Sequence, residues 1–421
     1  MKHRMLVAFV VAGTVLAAFA LYNFYKQDPQ KKQPLPELKK TDSSFQVSNV
    51  KPCSAQSALT KYFISAKEYD HIVPLGSVSP PNHSIPNERI YFILKKIAGG
   101  SSLPARIKSP GDITLNMIRS NTFMKDGKTV YSDYSMDITP CEGKSLYFGH
   151  FSALDNSIQD LVGTKGGWDK CFDQPLREGS FFHRCNKVMN YALGTDDNLG
   201  TAGGKDAPIS VFALGSYDLN TKPLPYVNPA RYRDDQLHII CPLDLFVPAV
   251  KSTYEAKLGS NKKQRTVQPL CGKTMQDSAA SLQGNWFYGT DFRPDVPENW
   301  PKGLSFIHDN VDPSTGVIVA GGFVSDALTM NIAPKHAGTL NRDFNEVTAD
   351  GKIYCFEGAA HKTPARNDAA LVLENFDEEA GNGEAAHFLT QLTDENTLKI
   401  EFQKGDCGKD FNFREPKTYV R

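Results

Sequence analysis

At 421 residues the chain is too long for one minimal core and predicts two or three domains. Its 47 basic and 47 acidic side chains cancel, which excludes a global field for holding nucleic acid or steering a charged substrate. Any partner is therefore recognised locally.

Lys2 and Arg4 precede an uncharged run over 5–25, "MLVAFVVAGTVLAAFALYNFY". Basic residues before an apolar segment mark export, and about 20 residues at ~1.5 Å each span a hydrocarbon core. Ala18-Phe19-Ala20 fits a cleavage site, while the length of the run and the aromatic end at Tyr22, Phe24 and Tyr25 fit a retained anchor. The retained anchor over 1–25 is the preferred reading. It would leave a membrane-anchored chain whose C-terminal part is extracytoplasmic, and cleavage would leave a secreted or periplasmic one. A polar, Lys- and Pro-rich linker follows over 26–50.

Eight cysteines lie beyond the run, an even number with no Cys-x-x-Cys pair. This speaks for disulfides rather than a zinc ribbon. Chain proximity pairs Cys171 with Cys185, Cys241 with Cys271 and Cys355 with Cys407, leaving Cys53 for Cys141; sequence alone leaves the connectivity open.

From 51 to about 220 the texture predicts a β-domain. "ERIYFILKKI", "ARIKSPGDITLNMI", "KTVYSDYSMDI" and "KSLYFGHFSAL" are short β-branched and aromatic runs between Gly, Pro, Ser and Asn. A helical turn is expected in "SALDNSIQDLVG", capped by Ser152, and a flexible loop over 195–208. Residues 221–300 read as a loop-rich, disulfide-containing region with a helix in "PLDLFVPAVKSTYEAKLG". Residues 301–421 read as hairpins, with "GLSFIHDNVDPSTGVIVAGG" and "HFLTQLTDENTLKIEFQ" each forming strand, turn, strand. The expected fold is mainly β: a membrane helix, a β-sandwich-like domain over 51–220, then hairpin-rich structure with long loops.

Within the first domain, "VPLGSVSPPNHSIPNERIYF", "LPARIKSPGDITLNMI" and "YFGHF" follow one another as loop histidine, strand pair and histidine-bearing strand. The order resembles the β-sheet core of lysostaphin-like peptidoglycan endopeptidases, the M23 family, over roughly residues 70–160. The resemblance implies one Zn²⁺ held by a His, an Asp four residues on and the second His of a His-x-His pair, whose first His activates water. His83 stands at the first position, Asn87 where the Asp belongs with Glu88 beside it, and His150 at the second His with Phe148 in place of the first. An amide is a poor zinc ligand, and a lost general base costs about 10²–10⁴ in rate.

The expected function is therefore an envelope protein with a non-catalytic domain of this type and no cofactor, binding glycan, peptidoglycan or an envelope partner. One alternative is a zinc-dependent endopeptidase or amidase using His83, Glu88 and His150. A second is a module for protein–protein contact. "LQGNWFYGTDF" adds Asn285, Trp286 and Tyr288 as residues suited to stacking on a sugar and bonding its hydroxyls, or else to closing a core. Gly-x-Ser-x-Gly, His-Glu-x-x-His, dinucleotide and EF-hand motifs are missing from the sequence.

Overall fold

The computed structural model describes residues 52–53, 59–97, 101–163, 167–176, 179–205, 207, 209–293, 296–362, 383–408 and 411–421. The expected anchor and linker lie outside them. Among the described residues no helix is long and apolar enough to cross a membrane.

The expected runs of the first domain all form strands. In chain order these are β1 (Tyr69–Val73), β2 (Arg89–Leu94), β3 (Ala105–Lys108), β4 (Ile113–Lys125), β5 (Lys128–Cys141) and β6 (Lys144–Leu154). Helix α1 (Asn156–Val162) follows, then β7 (Lys170–Pro175), β8 (Phe181–Leu193), β9 (Asn198–Ala202) and β10 (Val211–Asp218). They make one ten-stranded sheet in the order β1-β2-β10-β6-β5-β4-β8-β7, with β9 pairing β3 and β6 beside that path. Two expectations are corrected here. The supposed loop 195–208 contains β9, whose backbone pairs on both sides. The cap of α1 is Asp155, which accepts from the Ser157 amide, because Ser152 is still inside β6 and donates to the Thr201 carbonyl.

The sheet buries one face on an aromatic core centred on Phe63. Its ring lies 4.9 Å from Phe92, 5.3 Å from Phe148 and 5.6 Å from Phe212, one ring from each of three adjacent strands, β2, β6 and β10. Phe246 and Tyr254 close the other side. Tyr254 belongs to α2 (Pro248–Glu255), which with a 3₁₀ turn at Pro242–Leu245 occupies the segment where a single helix was expected.

Both expected C-terminal hairpins form, and with the neighbouring strands they close into a barrel, which the sequence did not disclose. Its strands are β11 (Gly284–Phe287), β12 (Gly303–His308), β13 (Gly316–Ala320), β14 (Leu328–Ile332), β15 (Tyr354–Lys362), β16 (Glu384–Asp394), β17 (Thr397–Lys404) and β18 (Lys417–Val420). Each pairs antiparallel with the next, and β18 returns to β11 at Val420 and Phe287. Eight strands leave just enough interior for side chains. Trp286, Phe306, Met330, Phe356, Phe388 and Tyr419 are buried together in its core.

Hydrogen bonds join sheet and barrel: Ser305 Oγ donates to the Ser84 carbonyl and Asn310 Nδ2 to the Pro74 carbonyl. Gly76 permits the backbone at Lys273, in the irregular segment before the barrel, to approach closely. Its φ is +86°, and a Cβ there would sit 2.1 Å from the Lys273 carbonyl oxygen. Four disulfides pin the chain, Cys53–Cys141, Cys171–Cys185, Cys241–Cys271 and Cys355–Cys407, the pairing that chain proximity gives.

Trp286 is fully buried, its indole N–H donating to the Leu282 carbonyl and its ring under the Arg421 guanidinium at 4.1 Å. Trp286→Ala is expected to cost about 3–5 kcal/mol in chemical denaturation. Tyr288→Ala, at a ring 36% exposed, should cost clearly less. Equal losses would show that Trp286 is not the barrel's anchor.

Candidate functional site

The segment "YFGHF" of β6 breaks strand alternation. Phe148 and Phe151 are both fully buried in the same core, yet residues three apart on a regular strand face opposite sides. An inserted residue resolves the conflict. Ser135 of β5 pairs with Gly149 and Tyr134 with Phe151, so His150 is the extra residue of a β-bulge. Its φ is +70°, left-handed backbone that a non-glycine residue adopts at a cost of about 1–3 kcal/mol.

The bulge delivers the imidazole to Asp133 on β5. His150 Nδ1 lies 2.7 Å from Asp133 Oδ2, with both side chains nearly buried. A carboxylate on Nδ1 holds a proton there and fixes the ring plane. The pair lines a cavity of about 400 Å³ together with Tyr131, Ser132, Ser152 and Lys205. Neither serine hydroxyl is presented to the imidazole as a nucleophile: Ser132 Oγ pairs with Thr122 Oγ1, and Ser152 Oγ donates to the Thr201 carbonyl.

Beside the bulge, Tyr147 lies back over Gly149, where a Cβ would meet the phenol ring at 2.5 Å. The Arg89 guanidinium stacks on that ring at 3.9 Å. Next to Arg89, Glu88 is the centre of a polar network. Tyr217 donates to Oε1 at 3.0 Å and Gln236 to Oε2 at 2.9 Å, while Arg233 approaches Oε1 at 3.5 Å. Burial alone would raise the pKa of Glu88, but Arg233 and Arg89, with the bonds from Gln236 and Tyr217, outweigh it and hold the carboxyl below its ordinary range.

His83 sits in the tight turn before β2, where its backbone N–H and C=O pair with those of Ser79. Burial, reinforced by the Arg89 charge and to a lesser degree by His150, pushes its imidazole down to about 3. His83, Glu88 and His150 thus share a neighbourhood. Among the described residues, however, the group of three metal-ligating side chain types whose ligand atoms come within 4.8 Å of one another is Cys171, His183 and Cys185. Two of those are spent in a disulfide.

Of the residues expected to bind a sugar, Trp286 is core and Asn285 is buried, donating to Tyr232 and accepting from Ser305. Only Tyr288 retains exposure, stacked on Phe323. Asp133 and Lys205 were missed by reasoning along the chain. The broken alternation at Phe148 and Phe151 is the signal from which the bulge, though not its partner, was readable. No family model, curated protein or solved structure matches the chain.

The depressed His83 value fixes a sign. Unfolded, the imidazole titrates near 6.5; folded, it stays neutral to about 3. Between these values the unfolded chain binds the extra proton, so stability falls as pH drops from about 6.5 toward 3. His83→Gln should flatten that part of the stability–pH curve in denaturant titrations; an unchanged slope would show that His83 is not its source.

Proposed function

We propose that the chain is an extracytoplasmic, non-catalytic binding protein of the cell envelope that seats a hydroxyl-rich glycan in the cavity beneath His150. The observation that carries this reading is the bulge. The fold holds a strained histidine in the lining of a cavity of mixed polar and apolar character and locks its tautomer with a carboxylate, a preorganised pair of hydrogen-bonding groups. Lys205 adds one cation, so that with the imidazole and the Asp133 carboxylate the cavity offers a set suited to hydroxyls and a carboxylate on a saccharide.

Two features favour the compartment. Four disulfides suit an oxidising environment, and a basic, then apolar N-terminal run suits export. A zinc hydrolase built on His83, Glu88 and His150 would need Glu88 to give up Tyr217, Gln236 and Arg233, and would need a base that Phe148, buried in the core, does not supply. Binding asks for neither change.

Co-sedimentation of the full-length protein, in detergent, with purified peptidoglycan tests the reading. Saturable retention is expected, weakened about tenfold or more by His150→Ala and by Asp133→Asn, the loss that goes with removing a charge-assisted hydrogen bond. Thermal melts of both variants separate this from unfolding. Retention that is absent, or unaffected in folded variants, would remove the glycan seat; release of soluble fragments would restore the hydrolase.

A further inference from the structure

A second constellation stands at the edge of the ten-stranded sheet, far along the strand order from β6. β7 is the outermost strand and pairs only with β8 on that path. In their register Cys171 faces Cys185 and Asp173 faces His183. Residues two apart on a strand share a face, so the four side chains form a square on one side of the hairpin. The disulfide makes one edge of the square. Along the opposite edge His183 Nδ1 lies 2.7 Å from Asp173 Oδ1, and the ring turns its Nε2 to within 3.4 Å of Cys185 Sγ.

This surrounding sets the disulfide apart. Among the described residues, no other disulfide has a histidine nitrogen or carboxylate oxygen within 4.8 Å of both its sulfurs. As in Cys53–Cys141, one cysteine is exposed and the other buried: Cys171 is exposed, whereas Cys185, next to the imidazole, is only 6% exposed. An accessible sulfur for attack and a shielded sulfur beside a proton donor are what directional thiol exchange needs.

We infer that Cys171–Cys185 is an exchange-competent disulfide whose co-reactant is a small-molecule thiol, with His183 as the group that stabilises the departing Cys185 sulfur. The thiol, having lost its proton to water, attacks Cys171 Sγ. A mixed disulfide forms there, the Sγ–Sγ bond breaks, and its electron pair goes to Cys185 Sγ. His183, protonated on both nitrogens and held by Asp173 at Nδ1, gives its Nε2 proton to that sulfur and regains one from solvent. A second thiol resolves the mixed disulfide and releases Cys171, which takes a proton from water. Two thiols are oxidised to one small disulfide, and the cystine is reduced to two cysteines. Asp173 is a positioning residue, acting only through the imidazole. The hairpin keeps its backbone pairing throughout, so the rest of the fold need not open.

The experiment incubates the folded full-length protein with reduced glutathione, quenches with iodoacetamide and maps the label by peptide mass. Cys171 and Cys185 should acquire label about tenfold faster than the other six cysteines. His183→Gln should slow that labelling about tenfold, and Asp173→Asn should slow it less, with the melting temperature unchanged in at least one of the two. The inference is overturned if Cys171 and Cys185 open no faster than the other pairs, if all four open together on unfolding, or if labelling in both folded variants keeps the wild-type rate.

Discussion

Phe63 imposes the constraint on which the first half of the molecule depends. It precedes the sheet in sequence, yet its ring is the surface against which β2, β6 and β10 turn Phe92, Phe148 and Phe212. Burying one aromatic of this size stabilises by about 1.5–3 kcal/mol, and edge-to-face contacts add to that. Phe63 makes such a contact with Phe92, the two ring planes standing at 79°. The consequence for β6 is geometrical. Once Phe148 is committed inward, Tyr147 and Gly149 must face the other side, and Phe151 reaches the core only if one residue is expelled from the ladder. His150 is that residue. The strain at its backbone and the position of its ring are two results of one packing requirement.

This order of causes explains what the sequence disclosed. Strands whose apolar residues alternate or run together between turn residues, such as β12 with β13 and β16 with β17, were readable because side-chain period and hairpin chemistry agree. The barrel was not. Its closure depends on β11 and β18, each of four residues, too short for a period to show. β11 is buried at every position, with Trp286 inward and Phe287 against Phe292 and Tyr232 outward, so it reads as an aromatic cluster rather than a strand. The polar partner Asn285, which seemed a ligand group, instead satisfies Ser305 and Tyr232 at the joint between strands.

The candidate site shows the same limit in another form. His150 stood out along the chain, but Asp133 lies 17 positions away on a neighbouring strand, and only the bulged register brings the two together. Conversely, Glu88 looked free to bind a metal because its partners, Arg233, Gln236 and Tyr217, come from elements more than a hundred residues downstream. A charge in a folded chain is defined by what desolvates and pairs it, and neither is local.

The zero net charge conceals a strongly local electrostatic design. On the site face, cations are placed over rings or against carboxylates: Arg89 on Tyr147, and Arg119 in a two-pronged pair with Asp137 on the adjacent strand. At the barrel seam Arg421 covers Trp286 and donates to the Ser278 carbonyl, while Arg231 donates to the Arg421 carbonyl. Arg421 and Arg231 tie the irregular segment after β10 to the barrel, and Arg233, against Glu88, ties it to the start of β2, with directional bonds that apolar packing would not provide. A ligand entering the His150 cavity therefore meets groups whose partners are already assigned, which limits what it can recruit. The imidazole edge of His150, the remaining acceptor capacity of Asp133 and the Lys205 ammonium line the cavity without being fully committed to internal bonds, so they are the groups that the proposed glycan would engage.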